Sequence, residues 1–433
     1  MRSSTGKLLC TAIVAFGIAM LLAAAAVFVR AIPQKKQMDS VSSLQTAAVF
    51  ETETVTVEPE REAVFEGSIE VPLEETPAEP EPAPVETPTD PAYAPAYARL
   101  SAMTQEEKIW QLFFVTPESL TGYPKVTRAG EATHEALMAR PVGGLIYFPQ
   151  NLETRDQVVT LLANAQSYVK TPLLLGINEE GGTMSHLSQN AALGVTSLAA
   201  MSGYDNADTL YGAVKTHAAS MKALGFNMNF APVADVPQGD NAAIANRAFS
   251  ASAEQNATLT AAAVRAMQEQ GIAACLKHFP GYGSIQANGE NVLNHTAEEL
   301  SQIDLLPFNA GIADGASFVM VSHTRVPSVT GNDDAASVSS AVVTDLLRQK
   351  LGFGGIIITE SQQDEAFSAK FSAGEAAVRA LEAGCDMILM PKDLQAAYDG
   401  IAAAVSSGRL TPERIDESVL RILQTKIRMG IAV

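Results

Sequence analysis

Cysteine, histidine and positive charge are all scarce in this chain. Its 433 residues include three cysteines, Cys10, Cys275 and Cys385, and six histidines. No spacing among them matches a metal site or a disulfide framework. Cys275 and Cys385 stand in strand-like surroundings and read as small buried hydrophobes. Lys and Arg number 29 against 48 Asp and Glu, a net charge of −19. Phosphate binding needs basic surface, so a nucleic-acid partner is excluded. Long apolar runs are absent as well, with one exception. Leu8 to Val29 is uncharged, mostly apolar and about 22 residues long, against the roughly 20 that span a bilayer as a helix.

That exception sets the expected domain organisation. Residues 1–36 read as an N-terminal membrane anchor or signal segment. An uncleaved anchor is preferred because the run exceeds a usual signal-peptide core, although Ala23 to Ala26 leave cleavage open. Residues 37–96 are rich in Glu, Pro, Thr and Ala, with about a dozen acids and one base, Arg61, between Glu51 and Asp90. Self-repulsion and repeated proline leave nothing to pack, so this is an expected disordered stalk. The other reading is an acidic binding tail. Anchor plus stalk suits a domain held outside a membrane, and secreted if the anchor is cleaved.

Residues 97–433 are the expected folded domain. Thr104 reads as the N-cap of a helix beginning Gln105-Glu106-Glu107. Short apolar runs then alternate with amphipathic stretches. The expected strands are 112–115, 144–148, 173–177, 228–233, 272–278, 318–323, 356–360 and 387–390. Eight strands separated by helices predict an α/β fold with a closed (β/α)8 TIM-like barrel.

Most of these strands run into polar groups: Asn178-Glu179-Glu180-Gly181-Gly182, Asp235, Lys277-His278, Ser322-His323-Thr324 and Glu360-Ser361-Gln362. Groups at the carboxyl ends of barrel strands share one rim, where active sites sit. Each has an ordinary reading too. Glu180 can be a turn acid, Asp235 a loop cap, and His323 a satisfied core imidazole. Lys277 and His278 are adjacent, so on a regular strand they point to opposite faces. For both to face one ligand the backbone must leave the strand there, which Pro280 and Gly281 permit.

The run Leu276-Lys277-His278-Phe279-Pro280-Gly281-Tyr282-Gly283 is accompanied by Met103 to Phe114, Val142 to Ile146, Asn229 to Val236, Asn246 to Phe249 and Ala383 to Leu389. In this order they resemble the N-terminal catalytic domain of glycoside hydrolase family 3, and within it the single-domain β-N-acetylhexosaminidases. The resemblance implies a carbohydrate substrate containing N-acetylglucosamine, of peptidoglycan or chitin type, and no metal or organic cofactor. It also implies sugar-binding residues at Asn178, His186, Arg247, Lys277 and His278. The last three match the family's pattern. Asn178 replaces an Asp and His186 an Arg, which removes charge and the planar guanidinium fork.

The catalytic pair implied is Glu360 as nucleophile, where the family has an Asp, and Glu290 as general acid/base. The family's Asp-x-His dyad falls on Asn288 and Glu290 counted from His278; counted back from Leu306-Pro307-Phe308, its His falls near Ala287. The dyad is absent in both registers. Glu290 then serves as a conventional acid or is only a solvated loop residue, and His295 is a nearby second candidate. The function implied is retaining hydrolysis of a terminal β-linked N-acetylhexosamine. The alternative is a catalytically impaired glycan-binding protein on the same scaffold. A β-glucosidase ranks below both, because family members of that type borrow an acid from a second domain and this chain ends soon after the helix expected at 411–429.

Overall fold

The structure, a computed structural model, describes residues 90–239, 241–285 and 291–433. The apolar run at 8–29, the Glu/Pro-rich stretch up to residue 89, and Asn288 and Glu290 lie outside the described residues.

All eight expected barrel strands form, with ends differing by a few residues. They are β1 (Phe113–Val115), β2 (Gly144–Tyr147), β3 (Leu174–Ile177), β6 (Met228–Asn229), β7 (Ala273–Phe279), β8 (Phe318–Val321), β9 (Ile356–Thr359) and β10 (Ile388–Leu389). A two-stranded hairpin, β4 (Glu179–Gly181) with β5 (Met184–Ser185), follows β3 and was not foreseen. The barrel strands pair in parallel in the order β10-β1-β2-β3-β6-β7-β8-β9. The Ile358–Met387 bridge and the Thr359 N–H to Met387 carbonyl bond close the circle. β6 is shorter than expected because Pro232 follows and lacks an N–H for the ladder. Pairing resumes at a single bridge from Val233 to Lys277.

Aromatic rings fill the barrel interior. Phe114 and Phe230 meet edge to face at 5.1 Å, a preferred aromatic geometry. They leave room only for glycine on the neighbouring strands. A Cβ at Gly144 would lie 2.6 Å from the Phe114 ring, and one at Gly176 2.8 Å from the Phe230 ring. Many of the outer helices, such as Arg155–Ser167, Ala207–Leu224 and Ala253–Gln268, begin with side-chain caps, which satisfy otherwise orphaned N–H groups. Thr104 and Glu107 form the reciprocal capping box that opens Gln105–Gln111. The preceding helix, Ala94–Ala102, already runs through Tyr97, the expected start of the domain.

The carboxyl-terminal helix Pro412–Arg428 is fastened by charge as well as packing. Buried Asp386, just before β10, accepts from Arg348 at 2.5 Å, Arg421 at 2.9 Å and Ser418 at 2.9 Å. This cluster belongs to the amino-terminal end of the barrel strands. The opposite, carboxyl end is left to other chemistry.

Among the described residues no helix is long and apolar enough to cross a membrane. Among them, too, no group of three or more His, Cys, Asp or Glu is placed to hold a metal ion.

Candidate active site

The carboxyl ends of β3, β7 and the segment after β6 are joined by one buried carboxylate. Glu180, 1% exposed, receives Lys277 Nζ at 2.6 Å and grips Arg247 through both oxygens, Nε at 2.7 Å and Nη2 at 2.9 Å. Burial alone would raise its pKa. Lys277 and Arg247 outweigh burial and bring it down to about 2. Lys277 Nζ also donates to Asn178 Oδ1 at 3.0 Å. Asn178, Arg247 and Lys277 are therefore brought together. Glu180, read from sequence as a rim group or a turn acid, is the residue that assembles them.

His278 is held by a second buried carboxylate. Asp235 accepts from His278 Nδ1 at 2.8 Å, from the His278 backbone N–H at 3.2 Å and from the Tyr282 N–H at 2.7 Å. Lys277 and His278 do leave regular strand geometry. The β7–β8 register shifts between Leu276 and Phe279, and the Lys277–His278 and Phe279–Pro280 peptides are cis. Lys277 reaches the Glu180 side of the rim while His278 reaches Asp235. With Nδ1 on Asp235, His278 presents Nε2 as its second hydrogen-bonding atom. Tyr282 completes the turn, its ring 5.7 Å from that of His278. Its phenol is pushed up by burial first, then by the charges of Glu360 and Asp235.

Glu360 directly follows β9. Its Oε2 accepts from the His323 backbone N–H at 2.9 Å. Its charge acts on Arg247, Tyr282 and His323, which puts it on the same rim as the sugar-binding candidates. His186 also belongs to this rim. It is half-buried, 6.5 Å ring to ring from Phe148. Burial holds its pKa below the ordinary imidazole value, even though Glu179 and Glu180 pull it upward.

Two rim candidates turn out to be interior. Glu179 is buried in a hydrogen-bond network with Ser185, the Leu187 N–H and His217 Nε2, at 2.6, 2.7 and 2.9 Å. The hairpin β4–β5 turns it inward, and hairpin formation carried no sequence signal strong enough to foresee this. His323 is the satisfied imidazole of its ordinary reading, with both ring nitrogens bonded. Glu290 lies outside the described residues. The second acid candidate, His295, has its Nδ1 bonded to buried Asp304 Oδ2 at 2.5 Å. Asp235 and Tyr282 were the less legible parts. Asp235 was visible as a polar strand end, but nothing local linked it to His278, 43 residues on.

Residues 104–425 match the family model described as the glycosyl hydrolase family 3 N-terminal domain. A β-N-acetylglucosaminidase/β-glucosidase from Cellulomonas fimi is 30% identical over 347 residues, covering 77% of this chain and 59% of its own length. A β-hexosaminidase from Stenotrophomonas maltophilia is 35% identical over 260 residues, 58% of this chain and 76% of that protein. Among solved structures, a family 3 β-N-acetylglucosaminidase from Paenibacillus superposes with a TM-score of 0.71 at 35% identity, covering 76% of this chain and 64% of that one. This chain thus spans under two thirds of the Cellulomonas and Paenibacillus proteins. The barrel, the rim and these likenesses together place the chain in glycosyl hydrolase family 3, to which it belongs through its N-terminal-type barrel.

Proposed function

We propose that this chain hydrolyses terminal β-linked N-acetylhexosamine by a retaining mechanism, with Glu360 as nucleophile. The observation that carries the reading is a carboxylate at the end of β9, fixed by the His323 N–H, facing the rim where Arg247, Lys277 and His278 are held by buried acids. The names of the relatives, β-hexosaminidase and β-N-acetylglucosaminidase, support the substrate class.

In the first step a Glu360 oxygen attacks the anomeric carbon as the bond to the leaving oxygen breaks. An acid protonates that oxygen, and a glycosyl ester forms on Glu360. In the second step the same group, now a base, takes a proton from water, and water displaces the ester. Glu290 fills the acid/base role in this reading. Asn178, His186, Arg247, Lys277 and His278 bind the sugar hydroxyls. The Glu180 clamp matters because positioning errors near 1 Å cost about 100-fold in rate.

The apolar run Leu8–Val29 and the acidic stretch behind it support a membrane-anchored barrel held on the outer side of the membrane. Recovery of the full chain in the membrane fraction, released by detergent and not by salt, is the expected result. Recovery in the soluble fraction of cells would refute the anchor.

The enzymatic reading is tested with the full chain on a chromogenic N-acetyl-β-glucosaminide beside Glu360→Gln. Turnover that falls by at least about 1,000-fold in the variant is expected, as for loss of a nucleophile. Equal, measurable rates in both would overturn Glu360 as nucleophile, and no turnover by the wild type on this substrate or on peptidoglycan fragments would replace hydrolysis by the glycan-binding alternative. Faster turnover of glucosides than of N-acetylglucosaminides would reassign the sugar.

A further inference from the structure

We infer that His323 is a positioning residue for Glu360, bracing the carboxylate and the backbone behind it so that Oε1 is the attacking oxygen. This deepens the nucleophile reading above and rests on it.

The brace has three points. The His323 backbone N–H holds Glu360 Oε2 at 2.9 Å. The His323 ring holds the next residue, with Nε2 3.1 Å from the Ser361 carbonyl oxygen. The Glu360 N–H donates to the Val321 carbonyl at 2.8 Å. A carbonyl only accepts, so Nε2 carries the ring proton. Nδ1 then accepts from the Ser337 hydroxyl at 2.7 Å. Both ring nitrogens are committed, and the tautomer is set by its partners.

The ring itself has no freedom. It lies flat on Phe367, 3.7 Å between centroids and 8° between planes. Phe367 sits in the short helix Glu365–Ser368, whose N-terminus Asp364 caps by accepting from the Phe367 N–H at 2.8 Å. Ser337 is fastened in turn, its N–H donating to the Ser322 carbonyl at 3.0 Å. One imidazole thus ties together the loop after β8, the loop after β9 and the 336–338 strap. The charged groups acting on it are Glu360 and Asp364, both of which favour its protonation; burial is the larger effect and keeps it neutral.

A neutral brace suits this site. A cation in its place would pair with Glu360 and lower its nucleophilicity. Glutamate also has one more torsion than aspartate, and fixing Oε2 removes that freedom before substrate arrives. Oε1 is the oxygen left for the anomeric carbon.

The test compares His323→Phe, His323→Asn and His323→Gln in the full chain. Phe keeps the stack and the backbone N–H but loses both ring bonds. Asn is too short to reach the Ser361 carbonyl. Gln can place its amide nitrogen where Nε2 was. The expected result is a kcat lower by about 100-fold in His323→Phe and His323→Asn with KM within about twofold, and recovery to within about tenfold in His323→Gln. The pre-steady-state burst, which reports formation of the glycosyl-enzyme, should slow in parallel. A kcat within about threefold of wild type in His323→Asn, or equal losses in His323→Asn and His323→Gln, would overturn the brace. The two readings separate through Glu360→Gln. If that variant keeps turnover, or the wild type has none, the nucleophile assignment itself fails. If it is inactive while His323→Asn is normal, only the brace fails.

Discussion

Glu180→Gln is the most informative single change to the rim. The wild-type carboxylate is buried and holds two cations, Lys277 at 2.6 Å and Arg247 at 2.7 and 2.9 Å. Glutamine preserves the volume and removes the charge that buried Lys277 and half-buried Arg247 share. Breaking a buried pair on one side costs about 3–5 kcal/mol. The pKa gives a second route to the same size. A shift from 4.5 to about 2 corresponds to about 3 kcal/mol.

The sign is set by the direction of that shift. The folded-state pKa is depressed, so the contribution is complete above the unfolded value of 4.5 and is lost as pH falls through about 2. By linkage, about 2 kcal/mol of the wild-type advantage should be gone at about pH 3. The assay is urea unfolding of both proteins at pH 7, 5, 4 and 3, followed by circular dichroism and reported as the difference between them. The wild type should lead by about 3–5 kcal/mol at neutral pH, with the gap closing by about 2 kcal/mol at the acid end. A neutral-pH gap below about 1 kcal/mol, or one that is flat down to pH 3, would refute the clamp.

Other consequences follow from the same geometry. Asp235→Asn should lower kcat/KM by about 100-fold while the fold is kept, because His278 loses the acceptor that orients it; an unchanged kcat/KM would remove Asp235 from the site. Gly144→Ala forces a methyl into the Phe114 ring and should cost about 1–3 kcal/mol, partly recovered by adding Phe114→Leu; calorimetry of the single and double variants checks this. Lys426 is fully buried, with Nζ 3.1 Å from Gln111 Oε1, and burial brings its pKa down to about 7. The unfolded chain therefore binds more protons between about pH 7 and 10, and stability should rise there by up to about 1.4 kcal/mol per pH unit. That rise should be missing from Lys426→Met, and equal slopes in the two proteins would contradict it.

The barrel was legible because its signals are local and repeated. Runs such as Ile356–Thr359, followed within one or two residues by a polar group, mark both a buried parallel strand and its rim end. Thr104 with Glu107 announced a helix start in four letters. The sugar-binding candidates were legible only through the motif that carries Lys277 and His278. What the sequence hid was pairing across distance. Glu180 meets Arg247 67 residues later and Lys277 still further on, and no local pattern tells such an acid from a turn residue. Glu179 and Glu180 are neighbours with opposite fates. The hairpin sends one into a network with His217 and the other to the rim. His323 looked like either a rim group or core, and it is core at the ring and rim at its backbone N–H.

Glu360 should become covalently glycosylated during turnover. The most direct test is to incubate the full chain with a fluorinated N-acetylglucosaminide that forms the glycosyl-enzyme faster than it releases it, and then to map the labelled peptide by mass spectrometry. The expected result is one sugar per chain, esterified to Glu360. A label on any other carboxylate, or steady turnover of substrate with no labelled intermediate under any trapping condition, would contradict it.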